Sequence, residues 1–159
     1  MNNYSNIINL NESYNFYKKY HQNYENKLVH VFSIPLIAFS LSVLLSNLVP
    51  FKILGIKMKA NFLLLSFYLL LYSTMDPIFF YPMGIFLFLI FSFSELFKIF
   101  VKNYYFYAFI IHCISWILQF SGHYLFEGNK PALLDSLSQS FLMAPLFSYL
   151  EFKELFLDS

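Results

Sequence analysis

The feature that most limits how this chain can fold is a series of long apolar stretches. Four of them are candidate membrane spans, over residues 29–49, 61–75, 78–97 and 104–126. A helix of about 20 apolar residues crosses the roughly 30 Å hydrocarbon core of a bilayer. The chain is 58% hydrophobic and only 12% charged, whereas soluble domains carry about a quarter charged residues. We therefore predict an all-α, polytopic membrane helix bundle with about four spans and short interfacial helices at both ends.

The two ends of the chain are expected to differ from this apolar core. Residues 1–15 are rich in asparagine and serine and predict a mobile polar tail, which leaves 16–157 as a single membrane domain. The tyrosines and lysines that follow the tail favour the membrane interface. Residues 132–157 are predicted to form two short interfacial helices, separated at Pro145. In the first span, Pro35 is expected either to kink the helix or to break it.

Several classes of function are excluded by residue types that the chain lacks. The net charge is +1, so nothing indicates a nucleic acid partner. All ten basic residues are lysines, which leaves no arginine for bidentate binding of phosphate or carboxylate. The single cysteine, Cys113, excludes an intramolecular disulfide and a thiolate metal cluster. The lysines are evenly divided between the two sides of the predicted bundle, so they do not decide its orientation. The sequence does not give the oligomeric state either.

One predicted helix carries a stripe of polar residues through its apolar sequence. The stripe lies in the fourth span and consists of His112, Trp116, Gln119, His123 and Glu127. At about 100° per residue, these five positions fall within about 80° on one helix face. Polar groups inside a span are costly unless they face partners. We therefore expect partners inside the protein, including ordinary packing for Trp116 and a helix–helix hydrogen bond for Gln119.

The four histidines fall into two pairs. His21 and His30 stand at the entrance to the first span, whereas His112 and His123 lie in the fourth. In a four-span bundle these two stretches run antiparallel and meet at one membrane face. Nine residues on an unbroken helix would rotate His30 by roughly 180° from His21. A single four-histidine site therefore needs a bend between them; otherwise three histidines bind one ion, or the site has two levels.

Clustered imidazoles favour a site for iron, zinc, copper or nickel. All four histidines are candidate metal ligands, and three other residues are expected to orient them through hydrogen bonds: Asn26, Gln119 and Glu127. Glu127 follows His123 by one helical turn, and we expect it to support a histidine ring and not to bind the ion. The alternative is that the histidines are packed, hydrogen-bonded residues of a structural helical scaffold.

Two blocks of sequence resemble a known family. The first is Tyr20-His21-x-Asn23-x-x-Asn26-x-x-x-His30, followed by Ile34-Pro35-Leu36. The second is His112-x-x-Ser115-Trp116-x-x-Gln119-Phe120-x-Gly122-His123, followed by Phe126-Glu127-Gly128 and Pro131-Ala132-Leu133. From about residue 14 to 156, the chain is similar to the small endoplasmic-reticulum membrane family of 2-hydroxy fatty acid dioxygenases.

This resemblance implies a function and a set of site residues. It implies an iron(II)-dependent oxidoreductase whose catalytic, metal-binding histidines correspond to His21, His30, His112 and His123. The implied reaction is alpha-oxidation, in which O2 and a 2-hydroxy fatty acid from sphingoid-base degradation give an acid one carbon shorter. The implied location is the endoplasmic reticulum membrane, with several spans in the lipid bilayer. The alternative interpretation is a non-catalytic membrane protein that binds metal or lipid through the same histidines.

Overall fold

The structure is a computed structural model that describes residues 10–49, 51–128, 131 and 137–157, and these are mostly helical. The described residues contain six α-helices: α1 Leu10–Lys18, α2 Tyr24–Leu45, α3 Ala60–Met75, α4 Phe80–Phe100, α5 Tyr104–Gly122 and α6 Leu137–Phe156. A 3-10 turn, Pro77–Phe79, precedes α4, and a π-helical turn, His123–Glu127, extends α5. The predicted all-α class is confirmed.

A small antiparallel hairpin lies between α2 and α3. Its strands are β1 Phe51–Ile53 and β2 Ile56–Met58, and they pair Phe51 with Met58 and Ile53 with Ile56. The turn between them has positive φ angles of 49° at Leu54 and 81° at Gly55. Positive φ at both central residues is the geometry that matches the twist of a two-residue hairpin.

Three helical segments are long and apolar enough to cross a membrane, namely Tyr24–Leu45, Pro77–Phe100 and Tyr104–Glu127. Helix α3 is apolar too, but its 16 residues extend for only about 24 Å, less than the roughly 30 Å of a hydrocarbon core. The predicted bundle of membrane helices is thus confirmed. Within the described residues, three of the four expected spans reach the full length.

Large apolar side chains on the long helices are exposed. Phe88, Ile99 and Phe106 have exposed fractions of 66%, 74% and 60%. Proteins in water rarely expose apolar surface on this scale, and extensive apolar patches mark contact with lipid or with a partner. This exposure agrees with helices whose outer faces contact lipid.

The first span starts earlier than predicted and is not broken. Helix α2 begins at Tyr24 and not at residue 29, and it continues through Pro35 to Leu45. A proline removes one backbone donor and crowds the carbonyl four residues before it. Val31 and Ile34, in the turn that precedes the proline, are buried with 6% exposure each, and their packing stabilises the helix. Of the two alternatives for Pro35, the break is therefore excluded.

Part of the predicted polar tail is an ordered helix. Residues 10–15 belong to α1, so the prediction of a mobile tail is wrong for them, while residues 1–9 lie outside the described residues. Ser13 is 1% exposed, and the ring of Tyr14 lies 5.4 Å from the ring of Phe147 in α6. Packing against a helix more than 120 residues away orders a segment whose own composition is polar.

The C-terminal region is one helix and not the two that were predicted. Helix α6 runs from Leu137 to Phe156 with Pro145 inside it. Met143, Leu146 and Phe147 are 0–1% exposed, so the turn around the proline lies in the core, and its burial offsets the missing hydrogen bond. The predicted start of this region, residues 132–136, lies outside the described residues.

The chain divides into two compact units. The first unit comprises residues up to Pro35 and from Ser115 onward, and the second comprises Leu36–Ile114. In the first unit the buried apolar core includes Tyr17, Val31, Ile34, Met143, Leu146 and Phe147. In the second unit Leu65, Leu87 and Ile90 are buried and pack with aromatic and aliphatic neighbours from α2, α3 and α4.

The second unit also contains a polar cluster between its helices. Ser42 Oγ and Ser94 Oγ are 2.9 Å apart. The amide nitrogen of Asn61 lies 3.4 Å from Ser42 Oγ and 3.3 Å from a carboxylate oxygen of Glu95. Lys59 Nζ reaches the other oxygen of Glu95 at 2.6 Å. We call these five residues the Ser42 cluster; its members bind one another.

Candidate metal centre

Three of the four histidines meet in the first unit. His21, His30 and His123 each offer a ring nitrogen, and these ligand atoms all lie within 4.8 Å of one another. The three ring centroids are 4.3, 4.7 and 4.8 Å apart. All three side chains are buried, with exposures of 2–3%. Three imidazoles at this spacing could hold one metal ion.

A bend between α1 and α2 brings His21 and His30 together. Helix α1 ends at Lys18 and α2 begins at Tyr24, so His21 lies in the connection and not on a continuous helix. The side-chain oxygen of Asn23 accepts the backbone N–H of Glu25 at 2.9 Å, which caps the first turn of α2. The bend that a shared site required is therefore present.

His123 reaches the other two histidines through a close approach of two helices. A Cβ atom at Gly122 would lie 2.7 Å from Asn26 Oδ1 and 3.3 Å from Val29 Cγ1, so only glycine allows α5 to approach α2 this closely. His123 also opens the π-helical turn that ends at Gly128 in left-handed conformation. Single π-turns inside helices often occur at functional sites.

Backbone carbonyls fix the protonation of two rings. His21 Nδ1 lies 2.9 Å from Tyr17 O, and His30 Nδ1 lies 2.9 Å from Asn26 O. A carbonyl oxygen only accepts hydrogen bonds, so each Nδ1 carries the hydrogen and each Nε2 keeps its lone pair. This is the usual arrangement of a histidine that binds a metal through Nε2.

The buried atoms that lack partners support the same interpretation. Among the described residues, three buried side-chain atoms have no hydrogen-bond partner: His21 Nε2, Asn26 Oδ1 and His123 Nδ1. A buried polar atom without a partner costs about 1–3 kcal/mol. Two of the three are nitrogens of the histidine cluster, and nitrogen ligands of this kind suit iron, zinc, copper or nickel. The residues present therefore fit a metal ion.

Burial also favours the neutral form of His21. Burial, followed by the nearby His30, lowers the pKa of His21 to about 2 from its usual 6.5. A metal competes with protons for the same lone pair. Because His21 remains neutral at physiological pH, its free nitrogen is available for an ion.

Glu127 holds the bend between α1 and α2. Its Oε1 accepts the backbone N–H groups of Gln22 at 2.9 Å and Asn23 at 3.0 Å, and the side-chain amide of Asn26 at 3.0 Å. Glu127 therefore contacts the backbone that carries the histidines. The Nδ1 atoms of His21 and His30 donate to backbone carbonyls, and the supporting role of Glu127 stays a prediction.

Asn26 and Gln119 also connect α2 to its neighbours. Asn26 provides the carbonyl for His30 and donates its amide to Glu127. Gln119 Nε2 donates to Ser33 Oγ at 2.7 Å. The predicted helix–helix hydrogen bond of Gln119 is confirmed, and it ties α5 to α2 about one turn from each histidine.

His112 lies in the second unit. Its Nδ1 is 3.0 Å from Ser40 Oγ, and that hydroxyl donates to Ile37 O at 3.0 Å. The three-histidine group does not include His112, and its role as a ligand stays a prediction.

Two residues next to the site were not identified from the sequence. The ring of Tyr17 stacks on that of His21, with centroids 3.7 Å apart and planes at 16°. Its hydroxyl donates to Glu151 Oε2 at 2.9 Å. Glu151 is 1% exposed, and burial raises its pKa to about 8. The available signal was a lone carboxylate inside the apolar run LFSYLEF.

The fold and the site together define a class: a membrane helix bundle in which three buried histidines could hold a metal ion. The family model described as 2-hydroxy-palmitic acid dioxygenase Mpo1-like matches residues 7–155. A relative from Saccharomyces cerevisiae, 2-hydroxy-palmitic acid dioxygenase MPO1, is 32% identical over 156 residues, which cover 92% of this chain and 80% of that protein. No solved structure matches.

The chain belongs to the Mpo1-like family. The resemblance stated from the two sequence blocks is therefore confirmed, and with it the expectation that the protein is an enzyme of the dioxygenase class.

Proposed function

We propose that this protein is an iron(II)-dependent dioxygenase that shortens 2-hydroxy fatty acids by one carbon, in the endoplasmic reticulum membrane, during sphingoid-base degradation. The observation that supports this most is the group of three buried histidines with ligand atoms within 4.8 Å. The printed name of the yeast relative, 2-hydroxy-palmitic acid dioxygenase, supports the substrate class.

Three neutral imidazoles suit a ferrous ion and leave coordination positions open. His21, His30 and His123 would hold the iron, and we propose His112 as a further ligand or as part of a second level. When bound, iron(II) would supply open coordination positions for O2 and for the carboxylate and 2-hydroxyl groups of the substrate. Asn26, Gln119 and Glu127 keep the histidines in place through the hydrogen bonds between α2 and its neighbours.

The proposed reaction balances without a further reductant. A 2-hydroxy acid and O2 give the acid one carbon shorter, carbon dioxide and water. The carbon–carbon bond next to the carboxyl group breaks, and the substrate supplies the electrons. A cosubstrate such as 2-oxoglutarate is therefore not needed.

The position of the histidines along the helices suits a lipid substrate. His21 precedes α2 and His123 follows α5, and both helices are candidate spans. The site thus lies at helix ends, where a polar carboxylate can approach from the membrane surface. The acyl tail can remain among the apolar side chains of the spans.

The test is to purify the protein in detergent without oxygen and to measure its metal content. Oxygen uptake is then followed with 2-hydroxypalmitate, and the products are identified by mass spectrometry. Palmitate without the hydroxyl group serves as the control substrate. We expect iron, oxygen uptake and the acid one carbon shorter. Zinc in place of iron, or metal binding without oxygen uptake, would support a non-catalytic metal- or lipid-binding protein instead.

A further inference from the structure

A buried tyrosine connects a buried carboxyl group to a histidine of the candidate metal centre. Glu151 Oε2 accepts the hydroxyl of Tyr17 at 2.9 Å. The ring of Tyr17 lies almost parallel to the ring of His21, with centroids 3.7 Å apart. The backbone carbonyl of the same tyrosine accepts Nδ1–H of His21 at 2.9 Å. One residue therefore contacts His21 both in its plane and on its face.

Stability alone gives no reason to keep this pair. A carboxyl group with 1% exposure in an apolar core is expensive, and an apolar pair of similar volume is often as stable as a buried polar one. The neighbouring pair shows the contrast: Tyr14 donates to Glu154 at 3.2 Å, but Glu154 is exposed and pairs with Lys18 and Lys27. Of these two pairs, Tyr17–Glu151 is the one that contacts a histidine of the site, through the stacked ring of Tyr17.

We propose that Tyr17 and Glu151 are positioning residues that fix the ring of His21 for the metal ion. The carbonyl of Tyr17 determines which ring nitrogen is free. The stacked phenol restricts rotation of the imidazole about its bond to Cβ, and Glu151 keeps the phenol from turning away. This inference rests on the metal site of the proposed function, and it adds two residues to that site.

The inference predicts how metal affinity responds to substitution. Glu151→Leu removes the acceptor at similar size and is expected to raise the Kd for the metal by roughly 10–100-fold, as loss of such supporting contacts typically does. Glu151→Gln keeps an acceptor oxygen and should restore affinity to within about threefold of the original protein. Tyr17→Phe keeps the stacked ring but loses the hydroxyl, and should raise the Kd by roughly tenfold.

The measurement is titration of the metal-free protein in detergent with Co²⁺ alone. The visible absorption of bound cobalt reports both affinity and ligand geometry, and it requires neither substrate nor turnover. Circular dichroism checks that each variant is folded. The matched control is Glu154→Leu, which removes the carboxylate from the outer Tyr14 pair on the same two helices and should change neither the Kd nor the cobalt spectrum.

The outcomes separate the two proposals. A weakened and spectrally altered site in Glu151→Leu and Tyr17→Phe, with recovery in Glu151→Gln, supports the positioning role. Normal cobalt binding in both damaged variants overturns that role and leaves the proposed function standing. If Glu151→Leu does not fold, Tyr17→Phe decides the question. No cobalt binding by the unaltered protein overturns the metal site and the inference together.

Discussion

Both units of this protein bury polar side chains, but they satisfy them in different ways. In the second unit, the Ser42 cluster is closed: its hydroxyl, amide, ammonium and carboxylate groups bind one another. In the first unit, buried atoms of His21, Asn26 and His123 have no hydrogen-bond partner among the described residues. The two units thus contain a complete network and an incomplete one.

The difference distinguishes a structural polar cluster from a site that receives a ligand. In a closed network, the hydrogen bonds among the polar groups offset the free energy that their burial costs. In an open network, each buried polar atom without a partner costs about 1–3 kcal/mol. A folded protein can retain such atoms when a ligand binds them. The incomplete network therefore marks the place where a metal ion could bind, independently of any relative.

Removing one histidine from the incomplete network should have the greatest effect. His123→Ala is expected to eliminate both activity and bound iron, because the remaining ligands hold the ion too weakly. The helices should persist, since a lipid environment keeps their backbone hydrogen bonds intact. Metal analysis, oxygen uptake and circular dichroism measure these three properties.

His112→Ala is the corresponding experiment in the second unit. We expect it to abolish activity too, and the iron content shows whether His112 is a ligand. Ser42→Ala, inside the closed cluster, is the control and should keep iron and activity while losing about 1 kcal/mol of stability. Wild-type turnover with full iron in either histidine variant would show that the altered residue is not a ligand.

Replacing one glycine by alanine in each unit gives a matched pair of variants, for which we expect smaller effects. Gly122→Ala places a methyl group 2.7 Å from Asn26 Oδ1, so α5 must move away from α2, at about 1–3 kcal/mol of stability. Gly84→Ala meets only Leu69 Cδ1 at 3.7 Å, an ordinary contact, and gains helix propensity of up to about 1 kcal/mol. Thermal unfolding and cobalt affinity should fall for the first and not for the second. Equal behaviour of the two variants would refute the close approach.

A third comparison replaces one carboxylate in each unit by the corresponding amide. Glu127→Gln loses the charge that three N–H groups bind but keeps an acceptor, so iron retention or rate should fall by roughly 10-fold, at the low end for such supporting residues. Glu95→Gln weakens the pairs with Lys59 and Lys98 and should leave iron binding unchanged. The assignment of Glu127 fails if its variant is indistinguishable from the original protein.

The last prediction concerns the pH dependence of stability. Burial holds the pKa of Glu151 at about 8, above its usual 4.5, so the unfolded chain releases this proton at lower pH than the folded protein does. Stability from this group is complete below about pH 4.5 and is lost as the pH rises to about 8. Glutamine does not titrate, so the Tm of Glu151→Gln relative to the original protein should increase across that range. A difference independent of pH would contradict the raised pKa.

The sequence predicted the local features of this molecule well. Apolar length indicated the membrane helices, and the nine-residue spacing of His21 and His30 showed that a bend was needed. The position of Gln119 in a polar stripe predicted its helix–helix hydrogen bond. These features depend on periodicity and spacing, which are properties of neighbouring residues.

Other features depend on contacts between distant residues and could not be predicted in this way. Residues 10–15 are helical because they pack on α6, and α6 passes Pro145 because the residues around it are buried. The Tyr17–Glu151 hydrogen bond joins residues separated by 134 positions, and no local pattern pairs them. The histidine roles remain a proposal, since geometry shows which rings meet and not which ion they hold.

The carbonyl acceptors of the histidine rings have a consequence for how this enzyme can vary. His21 and His30 each donate to the carbonyl four residues earlier, and a peptide carbonyl is supplied by every amino acid. Substituting a side chain cannot delete these acceptors; only a shift of the helical backbone can. The helical backbone therefore determines which ring nitrogen is free. Substitution of nearby side chains can still change the angle of the ring and the space around it.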